Sequence, residues 1–269
     1  NSSSFNLARV VGPAVAGMLI YAFGSTGPLF LINALTFAAV ISSLVFMRKS
    51  ELFPSDPVPR AKGQLREGLK YVIRHEKLLM PILLIAFVSM FSQAFSMSIA
   101  LMAREEFKAG ASSFGLASSM FAVGALAGAL LAARRVTISR KLLFAGAIGF
   151  GLAQIAAGLA PSYLAYLVLL VPAGIALITV NTAANAAVQL ATSPEMRGRV
   201  MGIYMLVFVG SSPVGASLVG WLSEIGGPRV GAVSAGVLVL AGAAMAVLAT
   251  RFVTGRVTRR RRRIMTAHA

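Results

Sequence analysis

Apolar residues fall in eight blocks along the chain, near 7–24, 28–47, 78–102, 113–133, 142–160, 163–190, 199–223 and 230–250. Each block is about 20 residues long, the length a helix needs to cross a hydrocarbon core of about 30 Å. The pattern predicts an all-α integral membrane protein with eight spanning helices, and it argues against soluble core helices or barrel strands. The polar breaks are mostly short, so neighbouring helices should form antiparallel hairpins. Turn residues mark several breaks: Gly24-Ser25-Thr26-Gly27-Pro28, Ala160-Pro161-Ser162 and Gly226-Gly227-Pro228.

The stretch 48–77 departs from this pattern. It carries Pro54, Pro57 and Pro59 and eight basic residues: Arg48, Lys49, Arg60, Lys62, Arg66, Lys70, Arg74 and Lys77. Within it Leu65, Leu69 and Val72 recur at i, i+4 and i+7. That spacing predicts an amphipathic helix over 65–73 lying on the membrane surface, with its basic residues opposite.

Composition reinforces the membrane reading. Hydrophobic residues make up 57% of the 269 and charged residues only 12%, against about 25% charged in soluble domains. The net charge of +17 would suit a nucleic-acid binder, but its Lys and Arg lie almost wholly between the apolar blocks. If the blocks cross alternately, 22 basic residues fall on one side. These are Arg9, the eight of 48–77, Arg134, Arg135, Arg140, Lys141, Arg197, Arg199, Arg251, Arg256 and the run Arg259–Arg263. Only Arg104, Lys108 and Arg229 fall on the other. By the positive-inside rule both termini and the long linker are expected in the cytoplasm of a cell whose plasma membrane the chain spans. The partner this implies is the lipid bilayer, and no nucleic acid is expected. The run Arg259–Arg263 reads as a cytoplasmic stop touching anionic headgroups.

With no cysteine in the chain, disulfides, thiolate chemistry and cysteine metal sites are excluded. His75 and His268 lie in a loop and a tail, apart from any metal or catalytic constellation. No nucleophile–base set is visible, so neither an enzyme nor a cofactor is expected. A channel is disfavoured by the lack of a filter-like loop or a ring of charge.

A long-range echo runs through the chain. Pro13 precedes Gly27-Pro28 by the same interval that separates Pro213 from Gly227-Pro228, and Ala16 and Ala216 fall in register. Parallel repeats of this kind occur in transporters. If the repeating unit has six helices, the first two blocks are the end of one copy and the remaining six are a second. On that reading four helices precede Asn1.

The segment Asn6-Leu-Ala-Arg9-Val-Val-Gly12-Pro13-Ala-Val-Ala-Gly17 resembles the fifth-helix antiporter motif of the major facilitator superfamily, which ends Gly-Pro-x-x-Gly-Gly. Here the second glycine is shifted and the upstream glycines are absent. The stretches Leu65-Arg-Glu-Gly-Leu-Lys-Tyr-Val-Ile-Arg-His-Glu and Glu195-Met-Arg-Gly-Arg-Val-Met-Gly are similar to a bacterial branch of drug, macrolide and siderophore exporters, the "transmembrane secretion effector" proteins. The loop after Gly128 keeps the basic Arg134, Arg135, Arg140 and Lys141 of the superfamily's Gly-x-x-x-Asp-Arg-x-Gly-Arg-Arg motif but lacks its Asp and inner Gly.

The resemblance implies a twelve-helix bundle of which this chain holds helices five to twelve. Residues 1–47 would be the last two helices of the N-terminal half and 48–77 the cytoplasmic linker. Residues 78–252 would be the C-terminal half and 253–269 a basic cytoplasmic tail. It also implies proton-driven export of amphiphilic small molecules across a bacterial inner membrane by alternating access. A non-transporting membrane scaffold, or a remnant of such a transporter, is the alternative.

Polar side chains inside a span need a partner or a wet cavity, so each one is a candidate site. In 163–190, Thr182, Asn185 and Gln189 follow i, i+3, i+7 on one face. In 78–102, Ser89, Gln93 and Ser96 share a face, with Phe91 and Phe95 interleaved. Both sets suit a substrate cavity, and both equally suit hydrogen bonding between packed helices. The resemblance makes them the tenth and seventh helices, which line the central cavity. Gly12, Pro13, Gly17, Pro213 and Gly215 form two proline–glycine motifs fit for close packing or for a gating hinge. Glu195, Arg197 and Arg199 make a short charged loop on the cytoplasmic side, where Ser193-Pro194 reads as N-cap and first helical residue. No Asp or Glu lies inside any span. If protons are a partner, the residue that carries them is expected outside this chain.

Overall fold

The computed structural model describes residues 27–48, 63–109, 111–134 and 139–266, with positions 19 and 23. Among these the chain is helical throughout: α1 (Gly27–Val45), α2 (Gln64–Arg74), α3 (Glu76–Leu101), α4 (Ala111–Ala133), α5 (Arg140–Gly158), α6 (Tyr163–Ala191), α7 (Arg197–Gly210) and α8 (Ser212–Thr266). A π-helical turn, Met102–Glu106, ends α3, and a 3₁₀ turn, Pro194–Met196, precedes α7.

The helix ends follow local chemistry. The side chains of Ser139 and Ser162 accept from the backbone N–H groups of Leu142 and Ala165, capping α5 and α6. Ser193 precedes Pro194 as expected, but its side chain makes no capping bond. Arg197 and Arg199 belong to the first turn of α7 rather than to a loop.

Six helical segments among the described residues are long and apolar enough to cross a membrane: Gly27–Val45, Glu76–Glu106, Ser113–Ala133, Arg140–Gly158, Tyr163–Ala191 and Pro194–Thr250. The expected count is eight, and the difference lies at the two ends of the chain. The predicted span 7–24 lies outside the described residues, and the predicted spans 199–223 and 230–250 are joined in the last segment. At 57 residues that segment would be about 85 Å long if straight, nearly three times the hydrocarbon core. It doubles back instead. Gly227 sits at φ 85°, ψ 170° inside α8, a left-handed conformation that glycine adopts without Cβ strain. Pro228 follows and starts the return arm. Gly215 on the first arm lies against Met90 of α3, and Gly242 on the second lies against Phe87. The two arms therefore flank one level of α3.

The bundle is organised around α3 and α6. α3 packs along both arms of α8, α6 packs between α4 and α5, and α5 also meets the return arm of α8. Phe95 of α3 ties three helices together. Its ring meets Phe121 of α4 and Phe150 of α5 edge-on at centroid distances of 5.4 and 5.9 Å, a favoured aromatic geometry. In contrast, no residue of α1 is buried.

The amphipathic helix forms as predicted, but its faces are used differently. Val72 is buried, and Glu67 pairs with Arg199 of α7 at 2.8 Å. One edge of α2 is thus docked onto the bundle. Leu65, Leu69 and Ile73 remain exposed beside it. The backbone of the tail continues α8 as helix to Thr266.

Candidate functional site

The polar candidates divide according to how their helices pack. Ser89 is fully buried where α3 crosses the α7–α8 junction, and its Oγ lies 3.1 Å from the Ser211 Oγ. It joins two helices. Gln93 and Ser96, one and two turns further on, are exposed. On α6, Thr182 and Gln189 are exposed and Asn185 is half-buried. The Thr182 hydroxyl donates to the Ile178 carbonyl of its own helix at 2.7 Å. The Gln189 amide donates to the Asn185 Oδ1, and the hydroxyl of buried Tyr204 on α7 approaches the same Asn185 side chain.

The α3 and α6 sets do not converge on a single point. Met80 of α3 and Leu190 of α6 line one cavity, which fixes the register of these antiparallel helices. By the helical rise, Asn185 then lies opposite about residue 85, roughly 12 Å along the axis from Gln93. The candidates form a polar strip instead of a pocket. Such a strip is costly against lipid, because a polar group in hydrocarbon has no solvent to bond.

Pro213 and Gly215 mark a true discontinuity. α7 ends at Gly210 and α8 begins at Ser212, so the helix is interrupted at Ser211, two residues before the proline, whose ring and missing N–H disfavour the preceding turn. Immediately beyond, Gly215 touches α3 so closely that a Cβ would collide with the Met90 carbonyl oxygen. Bend, serine pair and backbone contact thus coincide at one crossing. Pro213, Val214, Ser217, Leu218 and Trp221 line an open groove on the outer side of the bend. The matching Gly12, Pro13 and Gly17, with Arg9, lie outside the described residues.

The charged groups gather at the two ends of the bundle. At the linker end, Glu67 pairs with Arg199, and Glu76 with Arg140. Glu195 and Arg197 are exposed there. At the opposite end Arg229 donates to Glu106 Oε1 at 2.7 Å and to the Gly158 carbonyl at 3.3 Å, and its guanidinium lies over the Phe107 ring. That one side chain fastens the start of the return arm of α8 to the ends of α3 and α5.

Sequence reasoning missed several of these groups. Gln154 of α5 is fully buried with both amide atoms unpartnered among the described residues. The rule that singled out Gln93 would have found it, since it is the lone amide in 142–160. Ser211 and Tyr204 left no such signal, because a serine beside a proline and a tyrosine near a helix start are ordinary. Among the described residues no group of three His, Asp or Glu is placed to hold a metal ion.

Residues 1–260 match the family model described as "transmembrane secretion effector", a major facilitator family. The chain belongs to this family. No curated protein matches it. The match covers the apolar helices, the docked linker helix and the first part of the tail. It fits the helical architecture described above, and it makes the protein a multi-pass membrane transporter of the major facilitator type.

Proposed function

We propose that the protein is an export carrier that moves amphiphilic small molecules out of a bacterial cytoplasm by alternating access. The observation that carries this is the exposed polar strip, Gln93 and Ser96 on α3 with Thr182 and Gln189 on α6, within helices that are otherwise lipid-compatible. Interspersed apolar surface and hydrogen-bonding groups are what a drug, macrolide or siderophore-like substrate requires of a binding surface. The break at Gly210–Ser212 supports a hinge there, since helix ends and loop positions absorb the backbone change of such motions.

The domain division follows from the same reading. Residues 1–47 close an N-terminal half, 48–77 link the halves, 78–252 form the C-terminal half, and 253–269 form a basic tail. The charge asymmetry of 22 against 3 supports cytoplasmic termini and an inner-membrane location. Proton coupling, if it drives export, needs a carrier outside the eight spans read from the sequence, which hold no Asp or Glu.

The test is substrate-dependent efflux from cells expressing the full-length gene. Asn185→Ala and Gln93→Ala should change the range of exported compounds while membrane insertion stays the same. If the full-length gene gives no efflux of any amphiphile, the protein is a membrane scaffold and the proposal fails. Equal loss of folded protein in both variants would mean that the strip serves packing.

A further inference from the structure

At the linker end a cavity of about 360 Å³ opens between α3, α5 and α6, lined by Lys77 and Arg140 together with apolar Met80, Leu143, Ala187 and Leu190. Its size falls in the range of small-molecule sites, about 300–1,000 Å³. The cations and the apolar wall are segregated. Lys77 and Arg140 stand at the helix starts, whereas Leu143 and Ala187 lie deeper in their spans. Leu190 is 80% exposed, so the cavity is open at its apolar side. Arg140 is paired with Glu76, but Lys77 has no ion-pair partner among the described residues, and Lys141 follows directly. Of the two cations that line the cavity, Arg140 is balanced by Glu76 and Lys77 is left uncompensated among the described residues.

The neighbouring helix sets the depth of this cavity relative to the leaflet. On α2 the exposed apolar stripe Leu65, Leu69 and Ile73 is bordered one position on by Arg66, Lys70 and Arg74, all exposed. That is the arrangement of a helix lying in the headgroup region, and it ends at Arg74, three residues before Lys77.

We propose that the cavity is a binding site for one acidic phospholipid. Its phosphate sits between Lys77 and Arg140, and an acyl chain runs down the Met80, Leu143 and Leu190 wall. A phosphate makes charge-assisted hydrogen bonds to both cations, and basic pockets between membrane helices favour anionic headgroups. A free phosphate supplies the same charge but leaves the apolar wall bare.

The experiment uses the full-length protein, delipidated in a neutral detergent and titrated with phosphatidylglycerol, phosphatidylcholine or inorganic phosphate. Native mass spectrometry counts the retained lipids. Phosphatidylglycerol should be retained in preference to phosphatidylcholine, and millimolar phosphate should not displace it. Lys77→Gln should weaken the tightest phosphatidylglycerol by about fivefold, the effect of roughly one basic contact. Lys77→Arg should restore it. Ala187→Trp, which fills the cavity and keeps every charge, should abolish it, while Arg104→Gln at the opposite end should leave it unchanged. Lys77 makes no structural ion pair among the described residues, so its variants test the site even if Ala187→Trp fails to fold. Equal retention of phosphatidylglycerol by Lys77→Gln and the native protein would overturn the proposal. So would equal binding of both lipids, or displacement by phosphate alone.

Discussion

α1 and α3 are equally apolar helices with opposite fates. α1 has no buried residue, and Phe30, Leu31, Leu35 and Phe37 are each more than 60% exposed. In α3, 14 of 26 residues are buried, and Leu78, Leu84, Ile85 and Val88 are fully enclosed. Hydropathy cannot separate the two, because lipid tails satisfy a leucine as well as another leucine does. Among the described residues, α3 is met by complementary surface and α1 is not. Gly215 lets the first arm of α8 touch its backbone, Ser211 answers Ser89, and Phe121 and Phe150 receive Phe95. In a bilayer, close packing and hydrogen bonding decide association, and the sequence places those features on the partners of α3.

The strongest way to break this contrast is Gly215→Val. The added side chain meets the Met90 carbonyl oxygen, which belongs to helix backbone and cannot swing aside. The α3–α8 crossing must open, separating Ser89 from Ser211 as well. A loss of several kcal/mol is expected, seen as failure to recover folded protein from mild detergent. Recovery at native yield would show that the crossing is not close-packed.

Next in size is Phe95→Ala. It removes both edge-on ring contacts and leaves a void where α3, α4 and α5 meet. Truncation of a buried Phe costs about 3–5 kcal/mol, so the midpoint of thermal unfolding in detergent should fall clearly.

A smaller effect is expected at Arg229. Its side chain and that of Glu106 are 35% and 29% exposed, so water screens the pair, and a double-mutant cycle of Arg229→Gln with Glu106→Gln should give a coupling of about 1 kcal/mol. Zero coupling would mean that the Gly158 and Phe107 contacts hold the arm without the carboxylate.

The contrast also explains which parts of the structure were legible beforehand. The spans 113–133, 142–160 and 163–190 nearly coincide with α4, α5 and α6, because helix length and apolarity are local properties imposed by the bilayer. The turn at Gly227-Pro228 and the bend before Pro213 were legible for the same reason, since glycine and proline act on their own backbone. Pairings were not. Glu106 and Arg229 lie 123 positions apart, and nothing in the local pattern chooses Arg229 over Lys108 as the partner. Helical spacing places Val72 on the lipid-facing stripe of α2, yet the structure turns it inward. The stripe is wider than one interface needs, and it is the contacts with α7, Gly68 against Ile203 and Glu67 with Arg199, that bring the Val72 edge into the bundle. In the candidate site, helical spacing groups Ser89 with Gln93 on one face, yet Ser89 is buried and Gln93 exposed. It could not show that α8 covers one end of that face and leaves the other open.

The smallest effect is expected on α1, where it sharpens the comparison most. Phe37 is 62% exposed, and its ring touches no buried core. Phe37→Ala should therefore change the detergent unfolding midpoint very little, by less than about 0.5 kcal/mol, as for surface substitutions away from any packed feature. Phe95→Ala deletes the same atoms from an equally apolar helix, so the difference between the two variants isolates packing from hydropathy. Comparable losses would mean that α1 is buried against helix surface that the described residues do not supply, and its outward Phe30–Phe37 face would then be an interface between helices rather than a boundary with lipid.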